Sequence, residues 1–551
     1  MNTGMNTTIR RLTNLFIVLF LIVSGVAAYI QISNQAFYNG PVLANGSYAP
    51  LALKCPPYNA PLRGTIYDRN GNKIAWSVPD PNATCGYRRE YASWVATSGL
   101  APLIGYFSYT YGASGVEASY NNELAGTSVA QNRCQAGPTD VFKSAVQTAQ
   151  AKLLHKKLYG CDVYLTIDKN LQIAAAQNYT QSAIYGGVCQ QPGTNPAGSI
   201  IVEDPNTGEI LAMVSEPSYD PNKIDDPAYW KQLNSDPQAP LLNHATQGLY
   251  TPGSTFKTLT LIAALDTGTY SLATQFDKAQ ATDFVANGEH IKWYDYFNGT
   301  WNGLVKFPLT LKDAYAYSDN TIYARAAVQV GANTWLSYLR KFGIATPGTN
   351  VQPVPFDAPS YQSQAYNTYT NGQPTQFTTN LLAESGFGQG QLSITPLTMA
   401  EVSSAVAANG VLYEPHVAQK VVPYGVDPKS VLPQPAVAFG GVPVMHPETA
   451  QAVRAAMWAV VDYGTGWAGL TQNGQYLKQS PVQEGGKTGT AQLHAGQPDA
   501  WWISLAPDDQ GPQPLAAKWV ATVMKERSGE GACQAFVADD TYKQAMSLNL
   551  P

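Results

Sequence analysis

Hydrophobic positions divide the chain into three stretches of different character. Leu12 to Ile30 is a 19-residue run interrupted only by Thr13, Asn14 and Ser24, with Arg10 and Arg11 before it. Its length suits a bilayer crossing of about 20 residues, and the basic flank predicts the N-terminus inside. Val26-Ala27-Ala28 would serve as a signal-peptidase site, but the apolar run continues past it, so residues 1–30 are expected to be a short cytoplasmic tip and an uncleaved anchor. From 31 to 160 the chain is rich in Gly, Pro, Ser and Asn and lacks long periodic runs. Asn70-Gly71 there predicts a hairpin, and Thr148 to Lys157 a short helix. The third stretch, 161–551, opens with alternation over Val163 to Ile167 and a helix over Asp168 to Ala183. A hairpin follows, Ser199 to Glu203 and Ile210 to Val214 around Asp204-Pro205-Asn206-Thr207-Gly208. The middle, Tyr250 to Asn409, reads as largely helical. Strands return at Ala500 to Leu505 and Trp519 to Met524, before a last helix around Asp540 to Leu548. Strands at both ends and helices between predict an α+β domain whose antiparallel sheet is completed by the C-terminus.

At the start of the helical middle stands Thr251-Pro252-Gly253-Ser254-Thr255-Phe256-Lys257, followed by the apolar Leu259 to Leu265. A helix beginning at Gly253 or Ser254 puts Ser254 and Lys257 one turn apart on one face. A serine hydroxyl needs an adjacent base, and a lysine can be one when its pKa is lowered. Alone, S-x-x-K is a chance-level pattern that a capped helix with an exposed lysine explains. Two later stretches change that. Ser318-Asp319-Asn320 follows the helix-like Leu309 to Tyr317, and Lys487-Thr488-Gly489-Thr490-Ala491 follows Gly485-Gly486, where small residues at a strand edge admit a ligand to the backbone. S-x-x-K, S-D-N and K-T-G in this order are the active-site elements of penicillin-binding proteins and serine β-lactamases.

Composition narrows the picture. Charged residues are 13% and the net charge is −5, which gives a nucleic-acid role no electrostatic support. Six cysteines, Cys55, Cys85, Cys134, Cys161, Cys189 and Cys533, follow the anchor without a C-x-x-C pair, so disulfides are expected rather than metal. The six histidines show no ligand spacing, and no metal or cofactor is expected.

With these motifs the chain resembles the class B penicillin-binding proteins of the short-pedestal type. Arg63-Gly64-Thr65-Ile66-Tyr67-Asp68-Arg69-Asn70-Gly71, Gly115-Val116-Glu117 and Leu124-Ala125-Gly126 are similar to that family's pedestal motifs, and Gly386-Phe387-Gly388-Gln389-Gly390 to its Gly-Gln-Gly segment. The resemblance implies a transmembrane helix, a β-rich pedestal over 31–160 in which Arg63, Asp68, Arg69 and Glu117 are structural, and a transpeptidase domain over 161–551. It implies a peptidoglycan D,D-transpeptidase in which Ser254 attacks the carbonyl between two D-alanines of a stem peptide and Lys257 takes its proton. Ser318 and Lys487 would relay a proton to the leaving nitrogen, and Asn320 would bind a substrate amide. Thr488, Gly489 and Thr490 would hold the terminal carboxylate, with the oxyanion on the Ser254 and Thr490 N–H groups. Its implied partners are stem peptides on a lipid-linked precursor, β-lactams, and a polytopic membrane glycosyltransferase of the division or elongation machinery. A β-lactamase or D,D-carboxypeptidase of the same fold differs only in the fate of the acyl-enzyme. A sensor or scaffold is disfavoured, since the few residues before the anchor leave no output domain to expect and all three motifs are intact. In the resembled fold the first and last helices of the catalytic domain adjoin, which suggests Cys189–Cys533, leaving Cys55, Cys85, Cys134 and Cys161 to pair among themselves.

Overall fold

The computed structural model describes residues 62–83, 85–126, 159–181, 196–293, 305–349, 351–366, 369–370, 373–374, 377–432, 441–468, 477, 480–492, 497–507 and 517–550. The expected membrane span, the Thr148 to Lys157 helix and Cys55, Cys134 and Cys189 lie outside them. Among the described residues no helix is long and apolar enough to cross a membrane.

Asn70-Gly71 turns the chain as expected. Gly71 has φ +84°, and Asp68 accepts the N–H groups of Asn70 and Asn72 at 3.0 and 2.7 Å, so Ile66–Tyr67 and Lys73–Pro79 pair antiparallel. This hairpin belongs to a five-stranded sheet in the order Ala418–Val422, Asp162–Leu165, Ile66–Tyr67, Lys73–Pro79, Tyr87–Tyr91. Two of its strands come from beyond residue 160. Asp162–Leu165 runs parallel to Ile66–Tyr67, and Ala418–Val422 runs antiparallel to Asp162–Leu165. Beneath the sheet, Glu117 is fully buried between Arg63 Nε at 2.5 Å and Arg89 Nε at 2.7 Å. Arg69 reaches Glu209 at 3.3 Å, and Tyr120 donates to Asp357 at 2.8 Å. The Arg69 and Tyr120 bonds tie this region to the rest of the chain, whereas those of Arg63, Asp68 and Glu117 hold the region together from within.

The second sheet has the order Gly485–Ala491, Asp499–Ala506, Trp519–Lys525, Gly198–Asp204, Glu209–Glu216, all antiparallel. The C-terminal strands complete it, as the pattern predicts. All five strands are buried along nearly their whole length, because helices cover both faces. On one face lie Lys169–Gln181 and Cys533–Ser547, joined by Asn178 to Thr541 at 3.1 Å. On the other lie Pro396–Ala407, over the middle strands, and Pro447–Asp462 beside it, against the edge strand Gly485–Ala491. The last helix starts seven residues before the expected Asp540, since Cys533, Ala535, Phe536, Val537 and Ala538 are all buried against the sheet. The middle is less helical than its pattern suggests: Asp283–Ala286 and Glu289–Lys292 form a hairpin. Cys85, Cys161 and Cys533 are disulfide-bonded, and no described cysteine is free.

Candidate active site

The nucleophile segment is set by close backbone approach. Gly253–Phe256 forms a 3₁₀ turn that leads into the α-helix Lys257–Asp266. Gly253 has φ +55°, and a Cβ there would lie 3.0 Å from Ala491 N. Gly388, in the Gly-Gln-Gly segment, faces the other side of the turn, where a Cβ would come within 1.7 Å of Gly253 O. Gly253, the residue before Ser254, is thereby held between this loop and the edge strand Gly485–Ala491.

Ser318-Asp319-Asn320 joins the helices Leu311–Ala316 and Asn320–Val330. Asp319 caps the second helix by accepting the Ile322 N–H at 2.9 Å, and Ser318 adopts φ +60°, a left-handed conformation rare for a side-chain-bearing residue. That twist turns both Ser318 oxygens toward Lys257. Lys257 Nζ lies 2.6 Å from Ser254 Oγ, 2.7 Å from Asn320 Oδ1, and 2.9 and 3.0 Å from Ser318 O and Oγ. An ammonium could only donate to these oxygens, whereas a neutral amine, with two N–H protons and one lone pair, can donate to Asn320 Oδ1 and Ser318 O and accept from the Ser254 hydroxyl. Electrostatics agree, since the Lys257 amine is fully buried and pushed down to about 7, with the Asp319 carboxylate opposing the shift. Burial lifts Asp319 itself to about 7.

From the edge strand, Lys487 Nζ reaches Ser318 Oγ at 3.0 Å and Thr488 O at 2.9 Å. Burial, then the nearby Lys257, hold it well below the usual lysine range. Ser318 Oγ is thus equidistant from two amines. Gly489 packs where a Cβ would meet Thr255 Cγ2 at 2.8 Å and Trp501 Cβ at 2.9 Å. The structure brings together Ser254, Lys257, Ser318, Asn320, Lys487 and Thr488, whereas the Thr490 hydroxyl accepts the Gly531 N–H at 3.3 Å. Sequence reasoning passed over Asp319, although it stands inside the S-D-N triplet, and Thr465, whose Oγ1 is 2.6 Å from Thr488 Oγ1. The described histidines hold local polar contacts, such as His446 with Asp266 at 2.8 Å, and among the described residues no His/Cys/Asp/Glu group could hold a metal ion.

Residues 198–543 match the penicillin binding protein transpeptidase domain. The chain belongs to the penicillin-binding protein transpeptidase family. Residues 63–137 of this penicillin-binding protein match the penicillin binding protein A dimerisation domain. It is 27% identical over 523 residues to the peptidoglycan D,D-transpeptidase PbpA of Mycolicibacterium smegmatis, covering 91% of each chain. It is 30% identical over 392 residues to the peptidoglycan D,D-transpeptidase MrdA of Acinetobacter baumannii, covering 69% of this chain and 51% of that one. The imipenem acyl-enzyme structure of penicillin-binding protein A from M. tuberculosis shares the fold, with a TM-score of 0.69 at 24% identity over 88% of this chain and 98% of that one.

Proposed function

We propose that the chain is a serine-type peptidoglycan D,D-transpeptidase, acylated and inhibited by β-lactams. The observation that carries this reading is the 2.6 Å approach of a fully buried Lys257 amine, with its pKa near 7, to Ser254 Oγ. The amine takes the hydroxyl proton as Oγ attacks the carbonyl between two D-alanines, and the oxyanion rests on the Ser254 and Thr490 N–H groups. The packing of Gly253 against Thr490 and Ala491 supports that placement, because it sets the two backbones side by side. One such donor is typically worth ~3 kcal/mol in the transition state. Ser318 Oγ, 3.0 Å from each amine, relays a proton toward the leaving nitrogen. Asn320 orients a substrate amide, and the edge strand holds the terminal carboxylate near Thr488. An amine from a neighbouring stem then resolves the acyl-enzyme.

Residues 1–30 anchor this domain in the cytoplasmic membrane with the catalytic part outside, where a lipid-linked precursor and a polytopic glycosyltransferase would meet it. The domain division at 30 and 160 and the Cys189–Cys533 pairing remain part of this reading. Adjacency of the helices Lys169–Gln181 and Cys533–Ser547 supports the pairing. Purified protein lacking residues 1–30, labelled with fluorescent penicillin and mapped by peptide mass, tests the assignment. The label is expected on Ser254, and a donor stem peptide with an amine acceptor should give cross-linked product. A label on any other residue would reject the serine, and hydrolysis without cross-linking would favour a carboxypeptidase.

A further inference from the structure

The two hydroxyls that the sequence assigns to a substrate carboxylate have different surroundings. Thr490 Oγ1 accepts the Gly531 N–H, and its own proton goes to the neighbouring Glu530 carboxylate. It has nothing left to donate to an incoming anion while Glu530 is ionised. Thr488 Oγ1 instead accepts from Lys487 Nζ at 3.3 Å and lies 2.6 Å from Thr465 Oγ1. Thr465 comes from outside the three motifs, on the short helix Thr465–Ala468. It is held in place by its glycine neighbours: a Cβ at Gly464 would meet Ala316 O at 2.3 Å, and one at Gly466 would meet Val460 O at 3.0 Å. A larger residue at either position would push the threonine away from the strand.

We propose that Thr465 is a positioning residue for carboxylate recognition. Its hydroxyl donates to Thr488 Oγ1, which leaves the Thr488 proton pointing at the ligand and strengthens it as a donor. An oxygen that accepts from both a lysine and a hydroxyl is polarised, and donors in such chains reinforce one another. Thr488 is then the hydroxyl anchor for the acyl donor's terminal carboxylate, set by Thr465, and Thr490 is tied to the loop that carries Glu530 and Gly531. This inference rests on the acyl-transfer reading of the site.

Acylation by benzylpenicillin and by its methyl ester, in which the carboxylate is masked, provides the test, with the binding constant and the acylation step resolved separately. Thr465→Val is expected to weaken binding of the acid about fivefold and binding of the ester less than twofold, with the acylation step nearly unchanged, since one hydrogen bond of ordinary strength is lost. Thr465→Ser should match the parent on both ligands. An equal loss on acid and ester, no loss on the acid, or a serine variant that behaves like valine would each overturn the proposal. If the valine variant fails to fold, Thr465→Ala is read by the same criteria. Failure of the unaltered protein to acylate Ser254 with either ligand would be a separate result, one that removes the acyl-transfer reading itself.

Discussion

The charge of Lys257 should control the rate of acylation, and the structure gives the size of the effect. Lowering its pKa from 10.5 to about 7 corresponds to ~5 kcal/mol of disfavoured protonation. At pH 7 about half of the amines are neutral, against fewer than one in a thousand for an exposed lysine. Because the shift is downward, the competent form is lost as pH falls. The second-order rate constant for benzylpenicillin acylation should therefore rise through pH 7 and fall about tenfold per unit below it. The ligand carboxylate stays ionised across that window and adds no slope. Asp319 favours the ammonium, so Asp319→Asn should move the midpoint to lower pH. Lys257→Arg supplies a cation that never deprotonates and should slow acylation about 10³-fold or more with the fold retained. Stopped-flow acylation from pH 5 to 9 provides the readout. A flat profile, or an arginine variant near the parent rate, would refute the argument that a neutral amine is the base.

Other consequences can be checked more simply. Gly388→Ala places a Cβ 1.7 Å from Gly253 O at a residue with φ +94°, so the Ser254 turn must shift and penicillin labelling should slow about 10²-fold. Glu117→Ala strands two buried guanidinium groups and should lower stability by about 3–5 kcal/mol in chemical denaturation. Glu203 and Glu401 are buried on facing elements, with Ser404 Oγ 2.5 Å from Glu203 Oε1. Burial raises Glu203 to about 8, with Asp204 adding to the shift, and raises Glu401 well above the carboxylate range, with Glu203 and Glu414 adding to it. Folded protein therefore keeps protons that the unfolded chain releases, and stability should fall as pH rises from about 4.5 to 8. Glu401→Gln should shrink the difference between melting temperatures measured at pH 5 and pH 9.

Local pattern exposed the central sheet well, because Ser199 to Glu203, Ala500 to Leu505 and Trp519 to Met524 are β-rich runs bounded by turn residues. The catalytic motifs were readable because each keeps its spacing within a few residues. What escaped depends on long-range placement. Ala418–Val422 looks like a strand, yet nothing nearby says that its partner is Asp162–Leu165. The hairpin Asp283–Lys292 did carry a signal, the turn Asn287-Gly288 with φ +52° and +88°, submerged in a helical neighbourhood. The early start of the last helix leaves no mark because Ala532 makes no side-chain cap. Thr465 could not be read at all, since its only distinction is a contact 23 positions downstream.

The strand order also dictates a sequence of events during synthesis. Gly198–Asp204 leaves the ribosome long before its neighbour Trp519–Lys525, and Ile66–Tyr67 and Asp162–Leu165 precede Ala418–Val422 by more than 250 residues. At about 5–20 residues per second, Gly198–Asp204 waits roughly 15–60 s with one edge bare. The first sheet has all its strands once residue 422 is made, while the second still lacks Gly485–Ala491, Asp499–Ala506 and Trp519–Lys525. A ribosome stall before residue 418 releases a chain with two open sheets, whereas one between residues 422 and 519 leaves only the second sheet open, with Gly198–Asp204 still lacking its neighbour.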